Sequence, residues 1–344
     1  MPEAPLPSRS IGWGIVGYGW VARDYAAPAM LAAGQLVHAV YDPMPAARAA
    51  ARAAYPAAAV HDALAPMLAD PTVEAVYVAT PNHLHRATVE ACAAAGKPVL
   101  CEKPMAATLA DAEAMAAAAA RTGILLGIAF DQRHHPAHAA MRDAITAGAI
   151  GTPTAIRIAY ACWLDPAWRV TGEGDNWRAD PARAGGGALM DLAPHGLDLA
   201  EFLLGEPIED IAALTQRRVH DYAVDDGALL IGRTTGRVLI QLHVAYNCPD
   251  NLPRRRLEVL GSAGQIVAEN TMGQDAGGRV MWTNASGDSE PLTVPDSDAS
   301  PFARQMAAFG QALATGDHSA FSAARDLHTM RLLHRAYAED PACR

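Results

Sequence analysis

Asp191 and His195 stand four residues apart in Gly185-Gly186-Gly187-Ala188-Leu189-Met190-Asp191-Leu192-Ala193-Pro194-His195, a spacing that puts both side chains on one face of a helix. A carboxylate and an imidazole so placed can act together on protons near neutral pH, where an unperturbed histidine titrates. Lys103 is the third candidate. Of 27 basic residues only Lys97 and Lys103 are lysines. An ammonium, unlike a guanidinium, is a compact charge that pairs closely with one oxygen or gives up its proton. Lys103 follows the apolar run Val99 to Cys101 and so sits at a strand terminus between Glu102 and Pro104. Lys97 precedes Pro98 at the end of the preceding helix and reads as a charge on that terminus.

These side chains need elements to hold them. The first third of the chain alternates apolar strands with Ala-rich helices, the pattern of a doubly wound parallel sheet. Ile11 to Val16 is an apolar run followed by Gly17-Tyr18-Gly19-Trp20-Val21-Ala22 and then by helical periodicity through Leu31 to Ala33. Read as a dinucleotide-binding turn, Gly17 makes the tight turn, Gly19 lets backbone approach a pyrophosphate, and Ala22 packs helix against strand. The phosphates then rest on the helix N-terminus at Trp20 and Val21. The register through Gly12, Gly14 and Gly17 is rejected, because it leaves no strand before the turn and puts Gly17 and Gly19 inside a helix at about 1 kcal/mol each. A second strand, Leu36 to Tyr41, ends in Asp42, whose carboxylate would accept bonds from the adenosine ribose and repel a 2′-phosphate, favouring NAD over NADP. Asp42 also reads as a cap for a helix after Pro43. Further strands are expected at Val73 to Ala79, Val99 to Cys101 and Ile124 to Ala129. Such sheets bind ligands beyond the carboxyl ends of their strands. Thr80, Pro81, Asn82 and His85 after one strand, and Glu102 and Lys103 after the next, are therefore expected at the nicotinamide end of the cofactor.

Four segments in this order, Gly17 to Ala22, Thr80 to His85, Gly96 to Pro104 and Gly185 to His195, resemble the Gfo/Idh/MocA oxidoreductase family. The resemblance runs from about Ile11 to the C-terminal helices. It implies an α/β chain: a Rossmann domain with a doubly wound parallel sheet, taken as residues 1–129, then a substrate-binding and oligomerisation domain, residues 130–344, with a large open mixed, mainly antiparallel sheet. It implies a nicotinamide cofactor and hydride exchange with a carbinol or carbonyl carbon of a sugar, cyclitol or related polyol. It assigns catalytic roles to Lys103, Asp191 and His195, a cis Lys103–Pro104 peptide, and a place for Arg133 beside the substrate. In the family the open sheet face often packs on another subunit, which implies a homodimer or homotetramer.

Read from its own residues, the second domain begins its chemistry in a helix from Ala188 to Leu204, ended by Gly205 and kinked before His195 by Pro194. Asp198 extends its polar face in a structural role. Trp163, Trp168 and Trp177, with Arg169 and Arg178, either offer aromatic faces to sugar C–H bonds, with Trp168 and Trp177 binding substrate, or are core tryptophans under a long loop. Short apolar runs from Ile208 to Trp282, separated by turn residues, read as a largely antiparallel sheet. An exposed loop follows at Ser286 to Ser300, then helices at Phe302 to Ala314 and Ala320 to Tyr337. Arg133-His134-His135-Pro136-Ala137-His138 lacks a carboxylate partner and a helical ligand pair, so no metal site is expected. Arg254-Arg255-Arg256 reads as a solvated strand edge.

Composition narrows the class. A chain of 344 residues, 51% hydrophobic and 19% charged, has the length for two domains and the apolar content to fold both. A net charge of −10 argues against nucleic acid or an anionic membrane surface as the main partner. Five scattered cysteines with no Cys-x-x-Cys indicate neither a disulfide framework nor a cysteine zinc site. They fit a reducing cytoplasm. No secretory signal or membrane-length apolar run is visible.

Oxidising a carbinol requires loss of its hydroxyl proton as the carbonyl forms. His195 is expected to take that proton and Lys103 to hydrogen-bond the oxygen that gains negative charge. Asp191 would hold substrate hydroxyls or orient the pair. Two other readings remain: an enzyme with tightly bound NAD using transient oxidation for glycoside cleavage, and a non-catalytic NAD-binding sensor. The intact Lys103, Asp191 and His195 set weighs against the sensor.

Overall fold

The computed structural model describes residues 10–168, 176–221 and 223–340; Arg169 and Cys343 lie outside the described residues. Two compact units are present. One holds the described residues up to Ala129 together with Phe302–Leu327. The other holds Phe130–Trp168, the described residues from there to Pro301, and those from His328 onward.

In the first unit strands and helices alternate. β1 (Gly12–Val16) leads to a helix that opens at Trp20, passes through a π-turn at Ala22–Ala26 and closes as α1 (Ala27–Ala32). The π-turn lies just before Pro28, which has no N–H to donate to the preceding turn. Then come β2 (Leu36–Tyr41), α2 (Pro45–Ala54), β3 (Ala59–His61), α3 (Leu64–Ala69), β4 (Ala75–Val78), α4 (His85–Ala94), β5 (Val99–Cys101), α5 (Leu109–Thr122) and β6 (Leu126–Ile128). The strands form one sheet in the order β3-β2-β1-β4-β5-β6, parallel throughout. Parallel sheets are covered on both faces and their strands read as apolar runs; β1, β4 and β5 are buried at every residue. Strand order reverses between β1 and β4, the switch point beyond which such sheets take a ligand.

Phe302–Leu327 belongs with this unit, although a linear division of the chain puts it in the second domain. The reason is Trp13, wholly buried in β1. Its ring meets Phe309 at 5.4 Å, and its indole N–H donates to Gln35, whose Nε2 donates to the Met306 carbonyl at 2.8 Å. Phe302, Met306 and Phe321 close the same core. Lys97 does cap a helix end, but that of a neighbour: its Nζ donates to the carbonyls of Asp70, at the C-terminus of α3, and of Val73, at 3.0 and 2.6 Å.

The second unit holds α6 (Pro136–Thr146), β7 (Pro153–Ala161), α7 (Pro181–Ala184), α8 (Ala188–Leu204), β8 (Ile208–Gln216), β9 (Gly227–Thr234), β10 (Leu239–Ala245), β11 (Arg255–Gly261), β12 (Gly264–Glu269), β13 (Arg279–Asn284) and β14 (Ser289–Pro291). Its sheet runs β14-β13-β12-β11-β7-β10-β9-β8. Only the β7–β10 pair is parallel, the mixed, mainly antiparallel sheet expected. β7 lies outside the apolar runs read from the sequence, yet its buried Ile156, Ile158 and Tyr160 alternate with exposed or half-buried neighbours, the period of a strand covered on one face. β14 forms an exposed edge inside the stretch expected as loop. The arginine triplet is not on an edge. β11 lies between β7 and β12, so Arg255 stacks 5.9 Å from the Tyr160 ring centroid and Arg256 meets Glu269 of β12 at 2.6 Å.

α8 packs on β7, β9 and β10 and, on another side, on α6. It runs unbroken through Pro194. Gly196 lets it lie close to β10, since a Cβ there would come within 2.7 Å of Leu242. Its N-terminus is held by Asp225, whose carboxylate accepts from the amides of Gly187 at 2.9 Å and Leu189 at 2.8 Å and from the Tyr337 hydroxyl at 2.7 Å. Burial raises the Asp225 pKa, and these donors oppose the rise. Gly187 is required here because any side chain would strike the Asp225 backbone oxygen. Replacing Asp225 with alanine orphans three buried donors. Asp225→Ala is therefore expected to cost about 2–4 kcal/mol in urea unfolding; a loss below about 0.5 kcal/mol would show that α8 is anchored by something else.

Candidate active site

In the first unit, the expected phosphate turn has the shape its residues require. Gly17 adopts φ +87°, and a Cβ there would lie 2.8 Å from the Ala79 carbonyl. Its amide donates to the Tyr41 carbonyl at 2.9 Å. The Gly19 carbonyl accepts the first helical bond, from Arg23 at 2.9 Å. The amides of Trp20, Val21 and Ala22 thus have no helical acceptor, which makes this end of the helix a donor set for an anion. Asp42 is buried at the end of β2 and does not cap the next helix, because Met44 is the N-cap of α2 and no side chain caps it. Its carboxylate accepts from the amide of Tyr18 in the glycine turn at 2.7 Å and from Met44, ahead of α2, at 2.8 Å. Each oxygen keeps a further lone pair for a ribose hydroxyl. These features fit a dinucleotide.

Two expected cofactor residues serve the loops from behind. His85 is wholly buried. Its Nε2 lies 2.9 Å from the Thr80 carbonyl, and its Nδ1 lies 3.1 and 3.2 Å from those of Pro104 and Met105. Burial lowers its pKa against the pull of those carbonyls. It therefore ties the loop after β4 to the loop after β5 and presents no ring edge to a ligand. Glu102 accepts from the Tyr77 hydroxyl and from the Lys103 amide, which fixes the backbone on which Lys103 stands. The Lys103–Pro104 peptide is cis, as the family resemblance implies. Thr80, Pro81 and Lys103 remain half-buried, and Asn82 is buried in a short 3-10 turn.

In the second unit, α8 presents its polar side chains to different partners. The Tyr246 hydroxyl, just beyond β10, donates to Asp191 at 2.8 Å. Burial and the Asp191 charge push the Tyr246 pKa far up, so the phenol stays a donor. The His195 Nδ1 lies 3.4 Å from an Asp131 oxygen, both side chains being nearly fully buried. Tyr160 and Phe130 flank the imidazole edge-on at 5.7 and 6.5 Å between ring centroids. Burial, then Asp131, raises the Tyr160 pKa as well. Asp131, Tyr160 and Tyr246 are absent from the sequence expectation. Tyr160 and Tyr246 could have been found from strand periodicity, whereas nothing in the spacing of Asp131 points to His195.

Arg133, expected beside the substrate, is committed to structure. Its Nε lies 2.7 Å from the Asp198 carboxylate, and its guanidinium covers Phe202 at 5.3 Å. Trp168 and Trp177 flank one cation: the Arg178 guanidinium lies 4.5 and 4.4 Å from their ring centroids. Trp177 is buried and Trp168 half-buried, so the two tryptophans divide between core and surface. Two of the histidines near Arg133, His135 and His138, are structural. His135 caps α6 by accepting from the Ala137 amide. His138 bonds the Gln132 carbonyl and Thr271, its pKa pushed down to about 3 by burial.

With this geometry in place, comparison with known proteins locates the chain. Residues 11–130 match a family described as oxidoreductase family, NAD-binding Rossmann fold, and residues 138–267 match the GFO/IDH/MocA C-terminal domain. The 1,5-anhydro-D-fructose reductase of Ensifer adhaerens is 33% identical over 93% of this chain and 95% of its own. The myo-inositol 2-dehydrogenase of Thermotoga maritima is 30% identical over 59% of each chain. A crystal structure of an aldose-aldose oxidoreductase from Caulobacter crescentus with glycerol superposes with a TM-score of 0.87 at 25% identity, covering 98% of this chain and 99% of that one. If His85 couples the two strand-end loops, His85→Ala should weaken NADH binding about tenfold in a fluorescence titration, with partial recovery in His85→Gln. An unchanged dissociation constant would reduce His85 to a packing residue.

Proposed function

This chain belongs to the Gfo/Idh/MocA oxidoreductase family, and within it we propose an NAD-dependent enzyme in which His195 and Lys103 handle the proton and charge of the reacting hydroxyl. The reaction class is hydride exchange between a nicotinamide cofactor and a carbinol or carbonyl carbon of a sugar, cyclitol or related polyol. When bound, the nicotinamide supplies or accepts the hydride.

The rest is done by side chains of this chain. The observation that carries the reading is the His195–Asp131 approach, which sets a buried carboxylate 3.4 Å from Nδ1; on this reading Nε2 takes the hydroxyl proton in oxidation and returns it in reduction. The Lys103 ammonium hydrogen-bonds the same substrate oxygen as it gains negative charge. Asp191, polarised by Tyr246, accepts from a neighbouring substrate hydroxyl, and Arg178 with Trp168 contributes a flat cationic and aromatic surface suited to a sugar. Gly17, Gly19, Trp20 and Val21 hold the pyrophosphate, Asp42 the adenosine ribose, and Thr80, Pro81 and Asn82 the nicotinamide end. Asp42 supports NAD, since a 2′-phosphate would meet its carboxylate.

Turnover of 1,5-anhydro-D-fructose with NADH or NADPH, and of myo-inositol with NAD or NADP, tests the assignment through absorbance of the reduced cofactor. The expected result is at least a tenfold preference in kcat/KM for the non-phosphorylated cofactor. Lys103→Met and His195→Asn should each lower kcat by about a hundredfold or more. Near-normal kcat in either variant would remove that residue from the mechanism, and a preference for NADP(H) would overturn the role of Asp42.

The outer face of the β8–β10 sheet supports a homo-oligomer. Leu214, Ile231 and Leu239 are each 61% exposed there and Leu229 is 40% exposed, a grouping of large apolar side chains that monomers rarely leave to water. No helix among the described residues is long and apolar enough to cross a membrane, and Cys92, Cys101, Cys162 and Cys248 are free thiols, consistent with the cytoplasm as the working compartment. Light scattering is expected to show a dimer or tetramer that Ile231→Glu converts to a smaller species; a wild-type monomer would dismiss this face as an interface.

A further inference from the structure

We propose that Asp131 is the positioning residue of the acid–base histidine, forming with His195 a buried carboxylate–imidazole pair that leaves Asp191 to the substrate. The inference rests on the reading of His195 as the proton-transfer group and deepens it.

The geometry comes from the turn that opens the second unit. Asp131 begins a 3-10 turn, Asp131–His134, directly ahead of α6. That turn is fixed on both sides. Gln132 is 1% exposed, and its Nε2 donates to the second oxygen of Asp131 at 2.7 Å and to the Gly273 carbonyl at 2.8 Å. The Gln132 carbonyl in turn meets His138 Nδ1 at 2.9 Å. One Asp131 oxygen is thereby held in place, and the other stands 3.4 Å from His195 Nδ1. Tyr160 and Phe130 confine the ring edge-on.

Charge supports the assignment. The groups around His195 are Asp131 from the turn, Tyr160 from β7, and Asp191 one helical turn earlier on α8. Tyr160 is held neutral by burial, and Asp191 is bonded by Tyr246. Arg133, two residues beyond Asp131, is spent on Asp198. A buried carboxylate beside an imidazole favours the N–H on the facing nitrogen and stabilises the imidazolium formed when the ring takes a proton. The same logic places an aspartate behind the histidine of hydrolytic triads. Here it gives Nδ1–H toward Asp131 and an Nε2 lone pair for the substrate hydroxyl.

The test uses the full-length chain with ¹⁵N-labelled histidine, and His195→Asn identifies the His195 signals. In the wild type the neutral ring should be the Nδ1–H tautomer. In Asp131→Asn the His195 titration midpoint should fall by about one pH unit, and Asp131→Glu, which restores the charge, should recover part of that shift. With 1,5-anhydro-D-fructose and NADH, Asp131→Asn should lower kcat at least tenfold with less than a threefold change in KM for NADH. Added to His195→Asn, it should lower kcat less than twofold further, because a positioning residue has nothing left to act through. An unshifted midpoint, or multiplying losses in the double variant, overturns the pairing. A shifted midpoint with wild-type turnover in His195→Asn overturns the acid–base reading instead, and the positioning role with it.

Discussion

Burial of α8 along its length is the constraint on which the second unit turns. A helix packed on a sheet on one side and on another helix on a second side has little room for water, yet α8 carries Asp191, His195 and Asp198. A buried polar or charged group is tolerated only with a partner, so each faces a side chain from outside the helix. Tyr246 comes from the end of β10, Asp131 from the turn before α6, and Arg133 from that same turn. The groups that make the helix costly to bury are the ones that make it useful. Asp225 and the Gly187 approach fix where the helix starts, and Gly196 sets its distance from the sheet. Together they determine where an imidazole about two turns along comes to rest.

The first unit meets a related demand with backbone. The amides offered to an anion there are those that the helix beginning at Trp20 cannot satisfy internally, and the turn feeding them accepts only glycine at position 17 because the β4 strand end is so close. The loops after β4 and β5 are short and would otherwise be independent. His85 joins them by standing between carbonyls of both, and Glu102 anchors the second from below. Lys103 therefore stands on a backbone held on two sides, as the role proposed for its ammonium requires.

Much of this was legible in the sequence because it is local. The glycine turn, the strand-end position of Asp42 and the helix from Ala188 to Leu204 depend on residues close together in the chain, where period and capping rules act. What escaped depends on tertiary partners. Asp131 gains its meaning from a histidine on another helix, and no periodicity joins them. His85 reads as a ligand residue because it is polar and stands after a strand, but the carbonyls of Pro104 and Met105 face its Nδ1 and that of Thr80 faces its Nε2. Arg133 was expected at the substrate, and the buried Asp198 explains why it goes elsewhere. The arginine triplet reads as a solvated edge, yet Arg255 and Arg256 lie on an interior strand because β7 pairs beside it. Phe302–Leu327 was assigned by position in the chain, whereas the Trp13 core decided its place.

Hydride exchange at a sugar carbon moves one hydrogen, and an isotope can follow that atom directly. Reduced cofactor carrying deuterium at nicotinamide C4, prepared in both stereochemical forms, would be incubated with the protein and a panel of ketoses that includes 1,5-anhydro-D-fructose, and the sugar products read by mass spectrometry. Transfer of one deuterium to a sugar carbon from one of the two forms is the expected result. Retention of the label on the cofactor, in both forms and across the panel, would contradict it.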